Sequence, residues 1–181
     1  MADALWTLSS LTTGRPGLTP GEAQSLMEAA AVCLADQGHG RLVQLRLTGE
    51  FQHTVELALP PVDEFMRRTH ADLPRAVERG ACAIAALVCE RQQGLVVAEQ
   101  SCQMARRGGG FDYWLAPADD DQPLFQSRSR LEVSGILKGS EAQVRRRMQE
   151  KLERLAKFKS VTPTWVMVVE FSRPVAETVR R

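Results

Sequence analysis

A chain of 181 residues with 44% hydrophobic and 25% charged residues has the size and composition of one globular domain, which excludes a disordered or collagen-like protein. No apolar run approaches the roughly 18 residues that a membrane helix needs, and the N-terminus lacks the pattern of a secretory signal. The four cysteines form no Cys-x-x-Cys pair, and the three scattered histidines do not indicate a zinc site. We therefore expect a cytoplasmic protein that forms a single domain over residues 1–181 and does not associate with membranes.

The net charge of +1 hides an asymmetry along the chain. Residues 101–181 hold 15 Lys and Arg against 10 Asp and Glu, whereas the first 100 residues hold 8 against 12. A moderately basic C-terminal half is compatible with an anionic partner such as nucleic acid, but it falls short of the strongly basic domain that would identify one.

The first predicted helix begins at residues 19–22, where Thr-Pro-Gly-Glu combines a capping hydroxyl, a proline at the first helical position and a glutamate three residues after the cap. It should extend to about residue 37, because Gly38 follows. Alternating apolar and polar residues over 41–48 and 51–59 then predict a β-hairpin.

From residue 72 onward the pattern predicts the order helix, strand, strand, strand, helix, strand. The first of these strands is a continuous apolar run, typical of a central strand buried on both faces, and Pro174 should end the regular structure. The predicted elements lie at 72–91, 95–99, 111–115, 130–137, 140–158 and 165–171. A three-strand meander joined through one helix to a fourth strand gives a mixed sheet flanked by helices, which is an α/β fold.

This order, with Gly110-Phe111-Asp112-Tyr113 on the second strand and Leu131-Glu132-Val133-Ser134-Gly135 on the third, resembles the PD-(D/E)XK nuclease superfamily. The resemblance covers residues 72–171, and the helix and hairpin at 18–60 would be an addition to that core. It implies a restriction-endonuclease-like α-β-β-β-α-β core and an enzyme that hydrolyses DNA phosphodiester bonds.

In that superfamily an aspartate on the second strand and a glutamate on the third hold a divalent cation, and a lysine two residues later contacts the attacking water or the phosphate. The matching positions here are Asp112, Glu132 and Ser134. The resemblance therefore implies Mg²⁺ or Mn²⁺ at the two acids, since carboxylate oxygens suit hard cations. Glu78 on the first core helix and Glu99 at the end of the first core strand are further candidate ligands, although Glu78 also fits a solvated flank of its helix.

A serine at position 134 removes the positive charge that the superfamily's lysine supplies. Lys138 shares the strand parity of Ser134, and Arg128 and Arg130 share it on the other side, so a basic group can substitute if the strand is regular. Gly135 could instead introduce a bulge and break this parity.

Basic residues of the C-terminal half could follow a phosphate backbone. The candidate contacts are Arg106, Arg107, Arg128, Arg130, Arg146 and Lys151. A solvated helix face explains those on the last helix equally well, because Glu141, Glu150 and Glu153 interleave with them.

Other chemistries find little support in the sequence. The glycines at 108–110 precede a strand and lack the spacing of a phosphate-binding loop, so we expect no nucleotide cofactor. No serine lies in a Gly-x-Ser-x-Gly elbow, which argues against a covalent hydrolase of that type.

Two alternatives to an active nuclease remain open. One is a catalytically inactive member of the same fold, serving as a binding or assembly subunit of a nucleic-acid-processing or defence complex, whereas the resemblance to active members implies a homodimer that cuts both strands. The other is an unrelated α/β scaffold in which Asp112 and Glu132 lie far apart.

Overall fold

The computed structural model describes residues 5–101, 110–118, 128–157 and 161–181, and within these ranges the chain forms one mixed eight-stranded sheet flanked by helices. The strands are β1 (Trp6–Thr7), β2 (Leu42–Gly49), β3 (His53–Ala58), β4 (Leu95–Gln100), β5 (Tyr113–Pro117), β6 (Ser129–Ile136), β7 (Thr164–Glu170) and β8 (Val175–Arg180). The helices are α1 (Pro20–Asp36), α2 (Glu64–Thr69), α3 (Leu73–Gln93) and α4 (Glu141–Ala156), and a 3₁₀ helix spans Leu8–Thr13.

The three long helices begin where capping side chains precede them, as predicted. The Thr19 side chain accepts from the Glu22 amide, and the Asp72 side chain accepts from the Arg75 amide. Ser140 forms a full capping box with Gln143 at the start of α4. Each cap satisfies an amide that the first helical turn leaves without a partner, which fixes the starting residue of the helix.

The strand order is β1-β3-β2-β8-β7-β6-β5-β4. β4, β5 and β6 form an antiparallel meander, and β7 lies parallel to β6 after the crossover through α4. The predicted order and pairing of these elements are therefore confirmed, as is an α/β fold with a mixed sheet flanked by helices.

The prediction that the first core strand is central was wrong, since β4 lies at the edge of the sheet. Residues 15–18 lie along this edge instead of another strand, and the Gly17 amide donates to the Val97 carbonyl at 3.0 Å. A Cβ at Gly17 would come within 2.3 Å of the Glu99 nitrogen, so only glycine permits this approach. The apolar run of β4 is thus covered by a loop.

Regular structure also continues past Pro174, contrary to prediction. The chain turns after β7 and returns as β8, antiparallel to β7 and parallel to β2. Pro174 stands just before this strand, where its missing N–H is not needed, and its carbonyl accepts from the Arg46 amide at 2.9 Å. β8 therefore joins the N-terminal hairpin to the meander in one continuous sheet.

The sheet carries helices on both faces. α1 and α3 pack against each other and α3 lies over β4, β6 and β7, while α4 covers β7 on the opposite face. Along β7, Trp165 and Met167 join the core beneath α1 and α3, whereas Val166 and Val168 face α4. No helix within the described ranges is long and apolar enough to cross a membrane.

Two glycines allow the layers on the α3 side to approach closely. A Cβ at Gly80 of α3 would lie 2.8 Å from the Cα of Ala30 in α1. A Cβ at Gly135 of β6 would lie 2.5 Å from the carbonyl oxygen of Val77 in α3. The register of β6 with β7 is uninterrupted through Gly135, so this glycine serves close helix packing and not a bulge.

We expect Gly80→Ala to destabilise the protein by about 1–2 kcal/mol, because overpacking against Ala30 outweighs the gain in helix propensity. Gly21→Ala, in the first turn of α1 where an added Cβ meets nothing within 4 Å, is the matched control and should be neutral or slightly stabilising. Urea unfolding measures both. A Gly80→Ala variant as stable as Gly21→Ala would contradict this packing.

Candidate active site

Two carboxylates stand beside β6 at the point where its pairing with β5 ends. The last paired residues are Tyr113 and Leu131. Further along the same edge of β6, Asp112 Oδ2 accepts from the Val133 amide at 2.7 Å, and Glu78 Oε2 accepts from the Gly135 amide at 3.3 Å. The two acids, one immediately before β5 and the other on α3, thereby continue the hydrogen bonding of the strand edge with side chains.

A third carboxylate, Glu132, projects from β6 toward α4 and is only 3% exposed. Its Oε1 accepts from Lys151 Nζ at 2.5 Å and also from the Arg154 guanidinium. A buried carboxylate needs such compensation, because an unpaired charge away from water costs several kcal/mol. Glu132 therefore joins β6 to α4 through two ion pairs.

Ser134, at the position matching the superfamily's lysine, is buried two residues further along the same face. Its hydroxyl accepts from Arg147 at 2.8 Å. Arg147, Lys151 and Arg154 are spaced four and three residues apart, which places them on one side of α4. We refer to these three residues as the basic stripe.

The acids and part of the basic stripe line one pocket of about 190 Å³. Its walls include Glu78, Asp112, Glu132, Lys151 and Arg154, together with Gly110, Phe111 and Val133. Asp112 and Glu132 therefore do not lie far apart: the two carboxylates share a pocket and interact electrostatically.

Burial in this pocket shifts the titration of Asp112. Desolvation, reinforced by the nearby Glu132 charge, raises the pKa of the Asp112 carboxyl to about 6. The hydrogen bond from the Val133 amide and the charge of Lys151 lower this pKa, but by less. Asp112 therefore changes protonation state close to neutral pH.

The donor atoms of the pocket are of the type that Mg²⁺ and Mn²⁺ prefer, since they come from carboxylates. Among the described residues, no group of three or more His, Cys, Asp and Glu is arranged to hold a metal ion. Glu132 is engaged by Lys151 and Arg154, so a cation using Glu132 would compete with these two side chains.

Two predicted site residues lie elsewhere. Glu99 is exposed on β4 and forms an ion pair with Arg128 at 2.8 Å, away from the residues that line the pocket. Lys138 is exposed and lies beyond the end of β6 at Ile136, so strand parity no longer determines its direction. It lines a different pocket with Ser140.

The described residues that were predicted to contact DNA do not lie together either. Arg130 stacks on the rings of Phe111 and Trp114, at 5.0 and 5.5 Å from their centroids. Arg146 pairs with Glu150 at 3.0 Å on the exposed side of α4. Arg106 and Arg107 lie outside the described residues. Of the four that the structure describes, only Lys151 lines the pocket.

Sequence reasoning missed Arg147 and Arg154 as partners of β6, and placed Lys151 only on a DNA-facing surface. The spacing of these residues along α4, together with the polar residues at positions 132 and 134 of the facing strand, could have predicted this contact between α4 and β6. Lys151 and Arg154 are the basic groups that the structure brings to Glu132, whereas Lys138 lies outside this pocket.

The chain was also compared with known proteins. It matches no family model, and searches of curated proteins and of solved structures find no significant match.

We expect the free energy of unfolding to fall as pH rises from 4 to 6, because the Asp112 carboxyl loses its proton at a higher pH in the folded protein than in the unfolded chain. The folded protein keeps this proton up to about pH 6, whereas the unfolded chain releases it near pH 4, so folding is favoured at the acidic end of this window. Asp112→Asn keeps an oxygen for the Val133 amide but does not titrate. The free energy of unfolding of the variant, relative to wild type, should therefore rise by about 2 kcal/mol across this window.

Urea unfolding of both proteins at a series of pH values between 4 and 7 measures this difference. A difference that stays constant with pH would contradict the raised pKa of Asp112.

Proposed function

We propose that this protein is a metal-dependent nuclease that hydrolyses DNA phosphodiester bonds, with a restriction-endonuclease-like core over residues 72–171. The order of α3, the meander β4-β5-β6, α4 and the parallel strand β7 supports this proposal. The observation that carries it is the convergence in one pocket of Asp112 and Glu132, the two acids that match the superfamily's motif, with Lys151 of α4 beside them.

The three acids have different roles in the proposed site. Asp112 and Glu132 would hold Mg²⁺ or Mn²⁺, with Glu78 beside them on the pocket wall. When bound, such a cation lowers the pKa of an attacking water and neutralises charge on the phosphate. Glu78 and Asp112 are themselves positioned by the Gly135 and Val133 amides, so the strand edge determines where their carboxylates stand.

Lys151 supplies the ammonium that Ser134 lacks. Its Nζ lies 2.5 Å from Glu132 and 3.5 Å from the Val133 carbonyl, so it reaches the motif strand from α4. In the proposed mechanism this ammonium donates a hydrogen bond to the phosphate or to the attacking water. Arg154 would place a second positive charge next to the phosphate.

A second candidate function is DNA binding or complex assembly without catalysis. The pairing of buried Glu132 with Lys151 and Arg154 favours it, because these contacts neutralise a carboxylate that a metal would need. In that case the basic stripe serves to fasten α4 to β6.

Cleavage of supercoiled and linear DNA in Mg²⁺ or Mn²⁺ tests the proposal. Asp112→Asn and Glu132→Gln should each reduce the cleavage rate by about 100-fold or more, because each removes a charge needed to hold the cation. Lys151→Met should reduce it similarly, whereas Lys138→Met, an exposed lysine outside the pocket, should retain the wild-type rate.

Cleavage that survives both Asp112→Asn and Glu132→Gln would contradict this site. DNA binding by a wild-type protein that cleaves in neither metal would favour the non-catalytic candidate. Equal losses in Lys151→Met and Lys138→Met would overturn the role given to Lys151.

A further inference from the structure

A second pocket, of about 220 Å³, lies on the same face of the sheet as the candidate active site but on the other side of α4. β2 and β8 form one wall and the first turns of α4 form the other. Val144 and Val175, both buried, contribute apolar surface to it. The candidate active site adjoins β5 and β6, so α4, packed over β7, separates the two pockets.

Three arginines from three different elements meet in this pocket. Arg46 belongs to β2, Arg145 to α4, and Arg173 to the turn between β7 and β8. The parallel pairing of β2 with β8 places Arg46 opposite Val175 and Thr48 opposite Glu177. The convergence therefore depends on tertiary structure and is not a basic run along one helix.

All three arginines gather around one carboxylate, that of Glu141. Arg46 lies 2.9 Å from Oε1, Arg173 lies 3.9 Å from Oε1, and Arg145 lies 3.7 Å from Oε2. The hydrogen bond from Arg46, followed by its charge, holds the pKa of Glu141 below its ordinary value. The pocket thus already holds an anion, supplied by the chain itself.

The carboxylate of Glu141 is replaceable. The four side chains of this cluster are between 42% and 66% exposed, and ion pairs at such exposure contribute little to stability. The other acid of the lining is Glu177, and Arg173 also pairs with buried Glu170 at 3.6 Å, so displacement of Glu141 leaves three arginines with two carboxylates. A phosphate group offers guanidinium groups more acceptor oxygens than a carboxylate, often in bidentate pairs.

We propose that this arginine pocket binds a backbone phosphate of DNA, and that Glu141 occupies the place of that phosphate in the free protein. This inference rests on the proposed function, which makes DNA the substrate. α4 is about 10 Å wide, which corresponds to about three nucleotides of a DNA strand, so one DNA molecule can contact both pockets. The arginine pocket would hold the substrate away from the scissile bond.

Fluorescence anisotropy of a labelled 20-base-pair duplex, in EDTA so that cleavage cannot occur, tests the site. Arg46→Gln and Arg173→Gln should each weaken binding by about 3- to 10-fold and reduce the salt dependence by about one phosphate contact. Arg68→Gln is the matched control, since Arg68 is an exposed residue of α2, which contacts α1, and pairs with Glu64; the affinity of this variant should change by less than about twofold.

Glu141→Gln should act in the opposite direction and strengthen binding by about threefold or more, because it removes the charge that competes with the phosphate. Melting temperatures of all variants check that each is folded. Arg46→Gln alone decides the outcome if Arg173→Gln is destabilised, because Arg173 also donates to the Gly139 carbonyl.

Wild-type affinity in both arginine variants, an equal loss in Arg68→Gln, or no duplex binding by wild type would each overturn the arginine pocket. Stabilisation by inorganic phosphate that requires Arg46, without duplex binding, would overturn its assignment to DNA. Metal-dependent cleavage is measured separately. If wild type cleaves DNA but the arginine variants bind DNA normally, only the arginine pocket is rejected. If binding depends on Arg46 but no cleavage occurs, only the proposed nuclease activity is rejected.

Discussion

The burial of Glu132 between β6 and α4 is the constraint on which the candidate site depends. A carboxylate that is 3% exposed requires compensating charge, and Lys151 and Arg154 supply it from the facing helix. The packing of α4 on β7 turns this side of the helix toward β6. Lys151 and Arg154 thereby share the pocket with Asp112, so that side chains of opposite charge line one small pocket.

Local signals predicted much of this arrangement. Capping residues located the starts of α1, α3 and α4, and the order of elements implied that Asp112 and Glu132 would meet, because the second and third strands of a meander are neighbours. The rest depended on tertiary contacts. The edge position of β4 follows from the loop that covers it, and Lys151 reaches Glu132 because packing on β7 sets the rotation of α4.

The N-terminal hairpin has a larger role than its predicted place as an addition to a nuclease-like core. β8, which follows a proline that the sequence suggested would end regular structure, pairs with both β7 and β2. The same pairing creates the arginine pocket, since Arg46 comes from the hairpin and Arg173 from the turn that leads into β8. The segment outside residues 72–171 therefore contributes a surface to the proposed function.

Binding of Mn²⁺, followed by the electron paramagnetic resonance signal of the free ion, tests most directly whether the pocket acids hold a divalent cation. We predict saturable binding that is lost in Asp112→Asn and Glu132→Gln and retained in Glu99→Gln, whose side chain is exposed and outside the pocket. Lys151→Met should tighten binding, because the competing ammonium is removed from Glu132. No saturable binding by wild type, or binding unchanged in the Asp112 and Glu132 variants, would contradict a divalent-cation site in this pocket.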